Sequence, residues 1–205
     1  FYFKTISDDQ VDAESHNWTY TNVVASSTNW SAPFTEIRRA NYIIAGVQSS
    51  SLDEATKAHY EGLARMNRAW EYYQLVRMYG DVQWIDEVID PSDHEALYGE
   101  RTDRDVIMDY VLADLNYACE HITANSNRQR FSTDMAYAMK ADITLYEGTY
   151  CKYRTQAENG KPADESRASK YLNECVSACE YLMAKKYSLS DSYKANYNSV
   201  SLASN

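Results

Sequence analysis

One stretch of the chain, residues 60–85, constrains the fold more than any other part of the sequence. Its apolar side chains recur every three or four residues, which is the period of a helix with one buried face. They are Leu63, Met66, Trp70, Tyr73 and Val76. Gly80 ends the pattern, and Arg77 lies in the last turn, where the helix dipole favours a cation. We therefore predict a long central helix that Ser51 or Asp53 caps, followed by a short extended run.

Four further segments show the same helical period. They are residues 30–47, residues 104–122, a segment that Thr133 caps and that extends to Tyr150, and residues 165–184. The predicted helices pair as hairpins, the first with the second and the third with the fourth, while the fifth has no mate. Helix hairpins repeated at tens of residues indicate an all-α fold, a tetratricopeptide-like α-solenoid with irregular loops. We expect Ala136, Ala138 and Ala141 to allow close helix approach in such a stack.

The stripes also predict which side chains form the core. We expect the following to be mostly buried: Trp70, Tyr73, Leu63, Ile107, Leu115, Met139 and Ile143. Asn41 lies within the apolar stripe of the first helix. Since a buried Asn must be hydrogen-bonded, we predict that Asn41 binds the backbone of a connecting loop.

The charge of the chain excludes some classes of partner. The 205 residues carry a formal net charge of -10. This argues against nucleic acid, because phosphate binding needs a basic surface, and against adsorption on anionic lipid by charge. We therefore predict no nucleic-acid partner.

The residue types that bind metals or catalyse reactions are present without the spacing that such sites need. The four cysteines form no CxxC pair, and Cys175 and Cys179 lie one turn apart on the predicted apolar side of a helix. We interpret all four as unpaired structural residues. The four histidines match no HExxH pattern, and the acidic residues 90–95 lack the glycine of a calcium loop. We predict no catalytic residue, no metal and no cofactor.

Five segments in order resemble the helical framework of the SusD/RagB family. They read WSAPFTEIRRANYIIAGV, ARMNRAWEYYQLVRMYGDVQW, DVIMDYVLADLNYACEHI, RFSTDMAYAMKADITLYEG and YSLSDSYKANY. Their shared features are Ala-Asn in the first, Arg-Ala and Gly-Asp-Val in the second, and Asp-Leu in the third. Gln83 stands where the family usually has proline after Gly-Asp-Val.

The resemblance implies a non-catalytic surface lipoprotein of Bacteroidetes outer membranes. Such a protein binds a glycan or another nutrient and sits on a SusC-like TonB-dependent outer-membrane transporter. It implies membrane attachment only through an N-terminal lipid anchor, which this chain does not carry.

The resemblance also implies that residues 1–205 are a fragment of one SusD-like domain. Residues 1–29 would be an irregular lead-in, residues 30–184 the helical-repeat scaffold, and residues 185–205 a loop toward a missing C-terminal part. The alternative is a helical-repeat scaffold that binds only a protein partner.

The irregular lead-in holds the predicted ligand-binding residues. Asn17, Trp18 and Tyr20 combine two aromatic rings with a polar side chain, outside any helical period that would bury them. Sugars bind to aromatic surfaces flanked by polar groups. We therefore predict that these three residues contact the ligand; in the alternative interpretation, Trp18 packs the lead-in onto the first helix.

Overall fold

The computed structural model describes residues 27–124, 130–185 and 187, and this part of the chain holds seven helices. They are α1 (Thr28–Gln48), α2 (Glu54–Tyr79), α3 (His94–Leu97), α4 (Arg104–His121), α5 (Thr133–Tyr153), α6 (Gln156–Asn159) and α7 (Glu165–Ala184). The all-α prediction is thereby confirmed. None of the helices in these ranges has the length and apolarity needed to cross a membrane.

The helix ends follow local signals in the sequence. Asp53 caps α2 by accepting a hydrogen bond from the backbone of Thr56, which decides between the two caps that the sequence offered. Gly80 ends α2 with a φ of 71°, a conformation that favours glycine. The predicted cap of α5 is wrong by one residue. Ser132 is extended and caps the helix, whereas Thr133 is helical and donates its hydroxyl to the carbonyl of Ile122.

The helix pairing differs from the prediction in one respect. α1 packs on α2, α2 packs on α4, and α4 contacts α5, but the most extensive contact joins α5 to α7. The prediction that the last long helix lacks a mate is therefore wrong. A Cβ atom added to Gly148 would lie 2.7 Å from Cγ of Leu172, so glycine lets α5 and α7 approach closely. Of the three alanines expected to do this, Ala136 is buried and Ala138 is exposed.

The core contains most of the residues that the stripes predict. Four are buried and two are partly buried against the core: Tyr73, Ile107, Leu115 and Ile143, then Leu63 and Met139. The prediction for Trp70 is wrong, since 37% of this residue is exposed. The buried arc of α2 instead includes Ala69, Tyr72 and Leu75, each 0% exposed. This arc is rotated from the predicted stripe, which places the indole of Trp70 at its edge.

The cysteines are all free thiols, as predicted. Cys119, Cys151 and Cys175 are buried, and burial raises the pKa of Cys119 and of Cys151 to about 11. Cys179 is exposed, so its expected burial is wrong. On α7 the buried face passes through Ala178 instead.

Candidate functional site: a cleft between α1 and the 82–97 segment

The segment after α2 turns back and is closed at its base by an isolated antiparallel bridge. The backbone N–H of Thr102 donates to the carbonyl of Val82 at 2.8 Å. Within this loop Asp90 accepts hydrogen bonds from the backbone and hydroxyl of Ser92, and Asp93 caps α3 through Ala96. The acidic side chains that loosely suggested a calcium loop thus serve as turn and cap residues.

Three helix residues fasten the beginning of this loop to α1 and α2. Asn41 Nδ2 donates to the carbonyls of Ile85 and Glu87, at 3.1 and 3.0 Å. The hydroxyl of Tyr72 accepts from the N–H of Ile85 at 2.6 Å, and Arg68 Nη1 donates to the carbonyl of Asp86 at 3.2 Å. Asn41 is 2% exposed, which confirms the prediction that it is buried and bound to loop backbone. We call Asn41, Arg68 and Tyr72 the loop anchor.

The charge of Arg68 is balanced inside the protein. Its Nε and Nη2 donate to the two carboxylate oxygens of Asp114, at 2.8 and 2.9 Å, and its Nη1 donates to Asn41 Oδ1 at 2.8 Å. Burial disfavours the charged form, but the hydrogen bonds and charge of Asp114 outweigh it, so the pKa of Arg68 is raised. The guanidinium also lies 5.3 Å from the ring of Trp84. Arg68 therefore stays charged inside the protein, with its guanidinium bound by Asp114, Asn41 and the carbonyl of Asp86.

The anchored loop and the first half of α1 enclose a cleft of about 450 Å³. Its volume lies within the range of small-molecule sites in proteins. The lining is mainly apolar with a few polar side chains: Trp30, Ser31, Phe34, Thr35, Ile37, Arg38, Gln83, Ile85, Glu87, Ile89 and Leu97. The lining combines aromatic rings with hydrogen-bonding groups, which suits the binding of an organic ligand.

The aromatic wall of the cleft is held from behind. The indole of Trp30 lies edge-on to Tyr79, with ring centroids 4.9 Å apart, and 5.1 Å from Phe34. Arg101 lies 5.6 Å from the same indole. Arg38, which also lies on α1, donates to the carbonyl of Ile89 in the opposite wall at 2.9 Å. Both walls are therefore positioned by contacts that require no ligand.

One cluster outside the cleft carries metal-binding residue types. Asp105, Glu147 and Cys151 lie close enough together to share an ion. However, Glu147 is paired with Arg104 at 2.5 Å, and Asp105 with Arg154 at 2.7 Å. Because cationic side chains already take up the negative charge, the cluster acts as an ion-pair network that joins α4 to α5.

The predicted ligand-binding residues Asn17, Trp18 and Tyr20 lie outside the described residues, so that prediction stays a prediction. Sequence reasoning missed the cleft. It predicted only a helix over residues 30–47 and a short extended run after the central helix, and it placed the ligand contacts in the lead-in. The available signal was that Ile85 and Ile89 are apolar residues in or next to an acidic loop.

Stacked helix hairpins define the class of helical-repeat proteins, and here they carry a cleft of the size of small-molecule sites. The particular family follows from comparison with known proteins. The sequence model of a SusD-like family matches residues 2–145, and that family is described as starch-binding and associating with the outer membrane. The chain therefore belongs to the SusD-like family, and the resemblance seen in the sequence is confirmed.

Individual relatives agree with this assignment. SusD-like protein P2 of Formosa agariphila is 30% identical over 134 residues, which make up 64% of this chain and 26% of that protein. A putative sugar-binding protein of Bacteroides vulgatus has the same fold, with a TM-score of 0.68 at 19% identity over 91% of this chain and 40% of its own. A laminarin-binding SusD-like protein gives 0.63 at 20% identity over 84% of this chain and 34% of its own. The chain thus spans well under half the length of these relatives.

Proposed function

We propose that the chain belongs to a non-catalytic nutrient-binding protein of the cell surface, with a glycan as its ligand. The main support is membership of a family described as starch-binding, carried by the match over residues 2–145. The fold shared with a laminarin-binding SusD-like protein adds to it. The cleft supports the same proposal, because its aromatic and polar lining suits binding.

We propose further that the lead-in completes the ligand site with Asn17, Trp18 and Tyr20. The cleft is lined by Trp30 at the beginning of α1, the end at which the lead-in joins the helix. Only nine peptide bonds separate Trp18 from Ser27, a length that reaches at most about 30 Å. The length of the connection therefore allows these side chains to reach the cleft.

Calorimetry on the full-length protein tests this function. Laminarihexaose and maltohexaose are suitable probes, because one relative binds laminarin and the family is described as starch-binding. We expect saturable binding heat from at least one of them, weakened about tenfold or more by Trp18→Ala. Tyr153→Ala removes an aromatic ring that is 71% exposed at the end of α5 and serves as the matched control.

The possible results separate the proposals. No heat from any neutral oligosaccharide would favour the alternative, a scaffold that binds only a protein. If Trp18→Ala lowers thermal stability but leaves affinity unchanged, Trp18 is structural and the ligand contacts lie elsewhere.

We also propose that the full-length protein is an outer-membrane lipoprotein that docks on a SusC-like TonB-dependent transporter through its helical repeats. The net charge of -10 makes the encounter sensitive to salt if the partner surface is basic. We expect the lipidated protein to co-purify with the transporter under gentle extraction. Recovery of the lipidated protein without any transporter would contradict this part of the proposal.

A further inference from the structure

A second aromatic surface lies on α2 and α5, away from the cleft lining. Trp70, Tyr73 and Arg77 follow one another along α2, and Tyr146 faces them from α5. The ring centroids of Trp70 and Tyr73 are 5.8 Å apart, and those of Tyr73 and Tyr146 are 5.3 Å apart. Tyr73 is buried, whereas 37% of Trp70 is exposed. The exposed part of this aromatic surface is therefore the indole of Trp70, which packs next to the buried ring of Tyr73.

Arg77 is held in place over this row by aromatic contacts. Its guanidinium carbon lies 5.1 Å from the ring centroid of Tyr73 and 5.6 Å from that of Tyr146. Arg77 is exposed, and no carboxylate of the described chain forms an ion pair with it. A guanidinium positioned by ring stacking keeps most of its donors for a ligand.

Asp142 lies one turn before Tyr146 on α5, so the two side chains share one side of that helix and Asp142 offers an acceptor there. Asp142 on α5 is exposed, and within the described ranges it pairs with no cation. Burial raises the pKa of Tyr73, and the charges of Arg77 and Asp142 act on the same hydroxyl in opposite directions. Within the described residues, Arg77 and Asp142 do not form an ion pair with each other.

We propose that Trp70, Tyr73, Arg77, Asp142 and Tyr146 form a second carbohydrate-contact surface that accepts a neutral pyranose unit. The ring face of the sugar would rest on the indole of Trp70. Neighbouring sugar hydroxyls, each able to donate and accept, would accept from Arg77 and donate to Asp142. The inference rests on the proposed glycan-binding function and adds a ligand class and a place on the helical scaffold.

The surroundings favour a sugar over a protein partner. Polar residues flank the indole along α2, among them the exposed Asn67 and the half-buried Glu71 and Gln74. A stable protein interface buries about 800 Å² on each side around an apolar centre. Here the exposed indole shares the two helices with the exposed charges of Arg77 and Asp142. An anionic sugar would be repelled by Asp142 and by the net charge of -10.

Fluorine NMR of the full-length protein labelled with 5-fluorotryptophan tests the proposal directly. The signal that disappears in Trp70→Phe is the signal of Trp70. We expect it to shift saturably with laminarihexaose or maltohexaose. Calorimetry should then show that Trp70→Ala weakens one class of site about five- to tenfold, with smaller losses for Arg77→Gln and Asp142→Asn. Tyr98→Ala is the matched control, since Tyr98 is 81% exposed outside this surface, and it should change nothing.

Each other result overturns the inference in a distinct way. If a probe binds while the Trp70 signal stays unmoved, the surface does not contact sugar, although the proposed function stands. If neither probe produces heat or a shift, both the inference and the proposed function fail. If the signal moves only when the transporter is added, the surface is a protein contact.

Discussion

Asn41→Leu tests the loop anchor most sharply. Leucine has nearly the same shape as asparagine but removes three hydrogen bonds, two donated to the carbonyls of Ile85 and Glu87 and one accepted from Arg68. A hydrogen bond contributes about 1 kcal/mol net, and a buried group left unsatisfied costs about 1–3 kcal/mol. The carbonyl of Ile85 keeps the hydroxyl of Tyr72, and Arg68 Nη1 keeps the carbonyl of Asp86. Only the carbonyl of Glu87 is then left without a known partner. We therefore expect a loss of about 2–3 kcal/mol in the free energy of unfolding.

Urea unfolding followed by circular dichroism measures this loss. Asn67→Leu is the matched control, because Asn67 is exposed on α2, and it should stay within about 0.5 kcal/mol of the wild type. Asn41→Asp separates the two halves of the side chain, since it retains the acceptor for Arg68 but loses the donor to both carbonyls. We expect it to be at least as destabilising as the leucine. A stable Asn41→Asp variant, or an Asn41→Leu variant within 0.5 kcal/mol of the wild type, would refute the reasoning.

Two further predictions concern the α5 end of the scaffold. Gly148→Ala should destabilise the protein by about 1–3 kcal/mol, since its Cβ would lie 2.7 Å from Leu172. Gly46→Ala is the control and should be neutral or stabilising, because a Cβ there would have no atom within 4 Å. Thermal unfolding of both variants checks this. Burial disfavours ionised Asp105, but hydrogen bonds from Arg154 and Lys161 outweigh this and lower its pKa from 3.8 to about 2. Asp105 therefore contributes about 2 kcal/mol of stability that is present above pH 4 and is lost as the pH falls toward 2. Asp105→Asn should make the free energy of unfolding depend less on pH over that window. An unchanged pH dependence would contradict the assignment.

The helices could be predicted from the sequence because their signals are local. The period of the apolar residues, the cap at Asp53 and the stop at Gly80 all lie within a few residues of the structure they determine. The burial of Asn41 was also predictable, since a polar residue inside an apolar stripe needs a partner.

The features that sequence reasoning missed depend on contacts between distant segments. Trp70 falls on the predicted stripe, but the positions of the neighbouring helices decide which arc of α2 is buried. The pairing of α5 with α7 depends on a close approach at Gly148, which in sequence reads only as a weak helix former. The cleft is lined by Ile37 together with Ile85 and Ile89, about 50 residues further along the chain, so no local pattern marks it.

The loop anchor explains why three framework motifs carry the family resemblance. The polar members of the Ala-Asn, Arg-Ala and Asp-Leu pairs are Asn41, Arg68 and Asp114, and they meet in one hydrogen-bonded chain. Asp114 fixes and neutralises Arg68, Arg68 orients Asn41, and Asn41 holds the backbone of the loop that forms one wall of the cleft. The loop anchor holds the wall through the backbone of Ile85, Asp86 and Glu87. Because Ile89 and Leu97 line the cleft with side chains that the anchor does not bind, substitutions there would change the lining while the wall stays in place. Motifs that by themselves indicate only helix packing therefore also set the shape of the candidate ligand site.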